Sequence, residues 1–468
     1  MIKEDLFLQS ALSLAGSFLK TEQVVEWLKE QNEKVHVKID RIPFSDLKLW
    51  NTDNNVIQHE TSKFFSIIGI GVTTNWDTVQ RHWEQPIINQ PEVGFLGFIT
   101  KEFDGVLHFL MQAKIEPGNI NYVQLSPTLQ ATKSNYTKAH KGNAPLYLDY
   151  FQYAKPNQVL LDQLQSEQGA RFLKKRNRNI IIKLEEEIPV YENFIWLTLG
   201  QIKVLMNMNN LVNMDTRTVI SGIPFGSFET IGTNKNIFVA AQNDVQNLLL
   251  ESVLTNDKSL HSIDTIISFI TNLKSLYELE ITKIPLKGLN AWVFGKYEIE
   301  HELKKYFKVI AVNVEIGNRE VVSWTQPMIE PAQEGLCTFI CKKINGVLHF
   351  AVQAKLECGN FDIIELAPTV QCLTGNYKEQ NKIPLPFLGY VLHADKKQII
   401  YDSYQSEEGG RFYREQNRNM IIFADDTFPV ELPDKFIWMT LNQLHTFLRF
   451  NNYLNIQARS LLAAISFV

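Results

Sequence analysis

The sequence predicts an α+β protein built from two tandem, duplicated domains, and three observations carry that prediction. First, one stretch occurs twice. Gln112-Ala113-Lys114-Ile115-Glu116-Pro117-Gly118-Asn119 runs on through Leu125-Ser126-Pro127-Thr128-Leu129-Gln130 to Ser134-Asn135-Tyr136. It returns as Gln353-Ala354-Lys355-Leu356-Glu357-Cys358-Gly359-Asn360, then Leu366-Ala367-Pro368-Thr369-Val370-Gln371 and Asn376-Tyr377, with 12 of 25 positions identical and no gap, which marks an internal duplication. Second, each copy has strand-like apolar runs between helix-like ends, the α+β order. Third, 468 residues, 45% hydrophobic and 21% charged, are too many for one core and ordinary for a globular chain.

The duplication can be followed from element to element. Two short helices are predicted near 4–13 and 21–33; Leu6–Leu12 has its partner in Leu248–Leu254. Apolar runs at Phe64–Gly71, Gly94–Thr100, Val106–Ile115, Leu146–Tyr153 and Asn179–Leu184 read as strands. A closing helix is predicted near Thr198–Asn210 and again at Thr440–Asn451. Matched landmarks keep a shift of 240 to 242: Trp50 with Trp292, His59-Glu60 with His301-Glu302, Gly105–Phe109 with Gly346–Phe350, Ser166-Glu167 with Ser406-Glu407, Arg171-Phe172 with Arg411-Phe412, and Arg217 with Arg459. Copy one is therefore placed at 1–230 and copy two at 243–468, with a linker at 231–242. The join is signalled by the Gly-, Pro- and Ser-rich stretch Ser221–Thr233.

Composition narrows the function classes. A net charge of −5 gives no global attraction to nucleic acid or anionic membrane. No run approaches the roughly 18 apolar residues that span a bilayer. The apolar N-terminal stretch follows Glu4 and Asp5, where a secretion signal carries positive charge, and a segment with an internal copy is expected to be a structural helix. Cys337, Cys341, Cys358 and Cys372 do not form paired C-x-x-C spacings, so they are read as free thiols in a reducing, cytoplasmic setting. No Gly-rich strand-to-helix turn of the dinucleotide type is present.

The residues that carry chemistry lie in the repeated stretches. With period two along Val106–Glu116, His108, Leu110, Gln112, Lys114 and Glu116 share one face, and the apolar Leu107, Phe109, Met111, Ala113 and Ile115 share the other. The Gln-x-Lys-x-Glu row is repeated as Gln353, Lys355 and Glu357. It reads either as a polar pocket lining or as a solvated face with cross-strand pairs. Ser134-Asn135-Tyr136 and Asn376-Tyr377 offer amide and phenol groups for a sugar or base, or cap a turn. Arg171 and Arg178, with their partners Arg411 and Arg418, suit a pyrophosphate through forked guanidinium groups, or belong to an exposed charged hairpin. The basic run Arg171–Arg178 alone resembles an RNA patch, but Glu415 in the second copy breaks it. His140 aligns with Asn381, and only the histidine can exchange protons near neutral pH.

Taken together, Gln-Ala-Lys-x-Glu-Pro-Gly-Asn, the Leu-Ser-Pro-Thr-x-Gln-Ala-Thr-x-Ser-Asn-Tyr-Thr run, Ser-Glu-Gln-Gly and Asn-Arg-Asn resemble the NDP-hexose 2,3-dehydratases over nearly the whole chain. The resemblance implies two Nudix-like domains per subunit without the Nudix metal box, a homodimer, and a dTDP-4-keto-6-deoxy-D-glucose substrate that loses its C2 hydroxyl by β-elimination. It implies no cofactor and no metal. For that chemistry the residue inventory offers Lys114, Glu116, His140 and Tyr136 as catalytic groups, Lys114 and the Ser134-Asn135-Tyr136 turn to hold the ketone and sugar hydroxyls and Glu116 or His140 to move protons. Substrate contacts are assigned to Trp50, Thr132, Lys133, Ser134, Asn135, Ser166, Arg171 and Arg178, and in the second copy to Trp292, Lys355, Glu357, Thr374, Gly375, Asn376, Tyr377, Ser406, Arg411 and Arg418. Because of His140, copy one is the preferred catalytic copy. Competing readings are a nucleotide-sugar isomerase and a non-catalytic nucleotide-sugar binder.

Overall fold

The computed structural model describes residues 3–16, 18–53, 55–77, 79–132, 145–227, 243–255, 257–317, 323–377 and 385–468. The predicted N-terminal helices form at Lys3–Ala11 and Thr21–Glu33, and the internal partner of the first forms at Asp244–Leu254. Each copy builds a seven-stranded mixed sheet of the same design. In the first, Val159–Ser166, Arg176–Lys183, Gly94–Phe103, Val106–Ile115 and Phe194–Thr198 lie in that order, with Val123–Ser126 and Leu129–Ala131 added at one end. In the second, Ile399–Ser406, Gln416–Phe423, Gly335–Ile344, Val347–Lys355 and Phe436–Thr440 repeat it. The molecule is thus a mixed α/β structure with two similar halves.

The apolar face of Val106–Ile115 behaves as its period predicts: Leu107, Phe109, Met111, Ala113 and Ile115 all enter one large core. Gln112 and Lys114 remain half-buried on the opposite face, while Glu116 is 3% exposed.

Two smaller five-stranded sheets could not be drawn from either copy alone. Val37–Ile42 of copy one pairs antiparallel with Phe307–Ile316 of copy two, Ile39 opposite Val314. Reciprocally, Leu279–Ile284 of copy two pairs with Ser66–Thr74 of copy one, Ile281 opposite Val72. Each repeat therefore donates one strand to the small sheet of the other. The exchange is clamped by two matched tryptophans. Trp50 donates its indole N–H to the Thr325 carbonyl at 2.8 Å, and Trp292 donates to the Glu84 carbonyl at 2.8 Å. Both rings are buried in one joint core with Phe65, Phe172, Phe307 and Phe412.

Two expectations are corrected. Leu146–Tyr153 is not a strand; it holds the short helix Leu148–Gln152, entered from Tyr147 at φ 62°. Leu148 and Phe151, three apart, are its buried residues; a short apolar run does not distinguish one helical turn from a strand. The closing helix is shorter than predicted, Leu199–Leu205, capped by Thr198, and a second helix, Met214–Ser221, follows it. In the described part of the Gly/Pro/Ser stretch, Ile223 and Phe225 are buried in the main core. Residues 231–242 lie outside the described residues.

Candidate active site

The two repeated motifs meet across the copies rather than within them. The Glu116–Asn119 turn of copy one packs on the Ser406–Gly409 turn of copy two. Gly118 donates its N–H to the Gly409 carbonyl at 2.7 Å, Gly409 donates to Glu116 Oε2 at 3.3 Å, and Arg414 donates to the Gly118 carbonyl at 2.7 Å. The mirror arrangement brings Glu357–Asn360 onto Ser166–Gly169: Gly359 donates to the Gly169 carbonyl at 2.6 Å, and Lys174 donates to the Gly359 carbonyl at 2.7 Å. Glycine is required at both turns by close approach. A Cβ at Gly118 would lie 1.7 Å from the Phe412 carbonyl oxygen, and one at Gly359 would lie 1.8 Å from that of Phe172. The result is two composite sites, each half from one repeat.

Both sites share a frame. Gln130 Nε2 donates to Glu116 Oε1 at 2.7 Å, and Asn213, the cap of helix Met214–Ser221, reaches Gln130 Oε1 at 3.4 Å. In the second site Gln371 donates to Glu357 at 3.0 Å and Asn455 donates to Gln371 at 2.7 Å. Lys114 Nζ stands 3.9 Å from Glu116 Oε1; Lys355 Nζ instead donates to the Gln371 carbonyl at 3.2 Å.

Their charges differ. Around Glu116 stand Asp215 and the half-buried Glu408. Burial and then the Glu116 charge push Glu408 up to about 7, with Arg411 and Lys114 pulling the other way. Burial, then Glu116 and Glu408, hold Asp215 well above the ordinary carboxylate range. In the second site the matching positions are amides, Gln168 for Glu408 and Gln457 for Asp215. There burial raises Glu357, while Lys355 and Arg171 oppose the rise. Three carboxylates crowded beside a lysine give a site that holds protons at neutral pH and can release them. The second site has buried carboxylates of its own, Glu365 where the first has Gln124 and Glu415 where the first has Lys175, but amides at 168 and 457.

The remaining predicted residues are distributed as follows. Arg171 lies with Glu357 and Glu415 in the second site, its guanidinium 4.2 Å over the Phe307 ring. Arg411 lies with Glu408 in the first, 4.1 Å over the Phe65 ring, and donates to Gln90 at 3.2 Å. Arg171 therefore does not join Lys114 and Glu116 in one copy-one pocket. Arg178 pairs through Nε and Nη2 with Asp162 at 2.7 and 2.6 Å, and Arg418 pairs likewise with Asp402 at 2.8 and 2.6 Å. Ser166 donates to Glu365 at 2.8 Å and Ser406 donates to Gln124 at 2.8 Å, both buried. Thr132 follows strand Leu129–Ala131, and Thr374–Tyr377 forms a single 3-10 turn after Val370–Leu373. Lys133, Ser134, Asn135, Tyr136 and His140 lie outside the described residues. Asp215, Glu408 and Gln130 were not singled out in advance. Positions where the two copies differ in charge, Glu408 against Gln168 and Asp215 against Gln457, were the available signal.

The chain matches the family model described as NDP-hexose 2,3-dehydratase twice, over residues 21–223 and 263–465. The chain belongs to that family. It is 46% identical over 463 residues to a dTDP-4-dehydro-6-deoxy-alpha-D-glucopyranose 2,3-dehydratase of Saccharopolyspora spinosa, covering 98% of this chain and 94% of the relative. A protein of the same description from Amycolatopsis orientalis is 42% identical over 98% of this chain and 92% of its own length. One from Streptomyces violaceoruber is 41% identical over 94% and 95%.

Proposed function

We propose that this protein is a hydro-lyase that removes the C2 hydroxyl of dTDP-4-keto-6-deoxy-D-glucose, and that the site built on Glu116 and Glu408 is where it does so. The chemistry suits the residues. The C4 ketone acidifies the C3 proton; a base takes that proton, the C2–O bond breaks as an acid protonates the departing hydroxyl, and water is lost. The resulting enol tautomerises to the 3,4-diketo-2,6-dideoxy sugar. Glu116 serves as the base and Glu408, whose carboxyl is pushed up to about 7 so that a large share carries a proton near neutral pH, as the acid. The Lys114 ammonium stabilises the enolate oxygen. The single observation that carries the choice of site is the charge difference: carboxylates at 215 and 408 where the other site has Gln457 and Gln168. Three relatives described as 2,3-dehydratases of this sugar nucleotide support the substrate.

The scaffold is read as two Nudix-like units and the working form as a homodimer in a reducing cytoplasm, which the four free cysteines favour. Trp50 and Trp292, with their N–H groups bound to backbone, hold the frame on which the two sites are built. The test is product analysis by mass with a coupled ketoreductase. Elimination removes one water, whereas isomerisation leaves the mass unchanged and a mere binder returns the substrate. Glu116→Gln and Glu408→Gln are expected to be inactive and Glu357→Gln active; the reverse pattern would move the chemistry to the second site.

A further inference from the structure

Two arginines are among the largest fully buried side chains of the molecule, Arg217 and Arg459. They occupy matching places in helices Met214–Ser221 and Ile456–Ala464, which pack on each other where the two halves meet. Arg217 is 0% exposed, and its guanidinium donates to Gln405 Oε1 at 2.6 Å, to the Val212 carbonyl at 2.9 Å and to the Ser406 carbonyl. Its Nε has no partner. These oxygen acceptors are all neutral, while the buried carboxyl groups Glu407 and Asp215 also act on the cation, Glu407 most strongly; keeping such a charge in the interior costs desolvation. Arg459 repeats it from the other side, bonding the Ser166 carbonyl and the Leu454 carbonyl, with Nε donating to Thr218 at 3.0 Å.

What Arg217 grips is the root of the turn that carries Glu408. We propose that Arg217 is a positioning residue for the reaction: it fixes the Ser406 end of the turn while the Glu116–Asn119 turn fixes the Gly409 end, so that Glu408 is held against Glu116. Arg459 performs the same task for the Ser166–Gly169 turn, which carries Gln168 in place of an acid. The inference rests on the Glu116–Glu408 site being the reacting one. The held turn explains how Glu408 keeps its proton. It is kept among Glu116 and Lys114 from the hairpin, Asp215 from the helix, Glu167 and Lys175 from the copy-one turn, and Arg411 from its own turn. Without the clamp at Ser406, Glu408 is free to rotate toward water, where a carboxyl loses its proton at lower pH.

The test compares Arg217→Met with Arg459→Met in the full-length protein. A methionine fills similar space but leaves the Gln405, Val212 and Ser406 oxygens without their donor, so both variants are expected to lose some thermal midpoint and are compared at a temperature where they remain folded. For Arg217→Met, kcat should fall about 100-fold, as for other small misplacements of a reacting group, with KM little changed. The alkaline limb of kcat should move to lower pH, because the acid now deprotonates earlier. For Arg459→Met the limb should stay where it is. Gln405→Leu, which removes one acceptor and keeps the arginine, should shift the limb in the same direction, and it decides the matter if Arg217→Met does not fold. An unmoved limb in Arg217→Met, or in Gln405→Leu where that variant decides, overturns the inference. So do equal losses of kcat and thermal midpoint in both arginine variants. Full activity in Glu408→Gln would instead overturn the site assignment on which it rests.

Discussion

Glu408 shows how little a single side chain decides without its surroundings. In water its carboxyl would be ionised at neutral pH; burial and the adjacent Glu116 charge hold its proton to about 7. A general acid must be protonated to act, so kcat is expected to fall as pH rises through that value, and Glu408→Gln is expected to lower kcat by about 10²–10⁴-fold. Both are read from a pH–rate profile. The same burial has a stability consequence. Glu365, Glu407 and Glu408 are raised from 4.5 to about 7, 8 and 7. The native state therefore binds more protons than the unfolded chain between those limits, and the contribution present below 4.5 is lost as pH rises through 7 to 8. Buried Lys203, lowered from 10.5 to about 7, has the opposite slope only above 7, and buried His445, lowered from 6.5 to about 3, opposes the three glutamates below 6.5 without outweighing them. The thermal midpoint is thus expected to fall from pH 5 to pH 7, measured by calorimetry, and Glu408→Gln should flatten that fall.

At the scale of elements, the turns matter more than the strands that lead to them. The strand Val106–Ile115 supplies alternation, but the Glu116–Asn119 turn decides what Glu116 meets. Its close approach to the Phe412 and Gly409 carbonyls leaves no room for a side chain at Gly118. Gly118→Ala is expected to destabilise by about 3 kcal/mol through backbone displacement, and to reduce activity with it. Denaturant unfolding measures the first and the coupled assay the second. Gly105, by contrast, has φ 79° and open space around it, so alanine there strains the turn without disturbing either composite site.

For the whole molecule, the exchange of Val37–Ile42 and Leu279–Ile284 makes each repeat dependent on the other. A repeat alone would leave Ser66–Thr74 without the antiparallel neighbour supplied by copy two, an exposed edge prone to pairing. Residues 1–230 produced alone are therefore expected to associate, each chain lending its Val37–Ile42 strand to the next. Light scattering would show a dimer or larger species; a folded monomer would mean that the small sheet closes without exchange. The separated repeat should also be inactive, because it carries Glu116 without Glu408.

The sequence by itself determined the duplication, the alternation that buries Leu107 to Ile115, the helices at either end of each copy, and the repeated Gln-x-Lys-x-Glu row. These are local or self-similar properties, and period and repetition are visible along a chain. Which Glu–Gly turn meets which Ser–Glu turn was decided by the tertiary structure. Within one copy, Glu116 and Arg171 look like partners; in space Glu116 meets Glu408 and Arg411, while Arg171 meets Glu357. The physical reason is that two similar repeats present identical faces, so their patterns fit equally well within a copy or between copies. Only the buried joint core around Trp50 and Trp292, and the strands that cross it, select the exchanged arrangement.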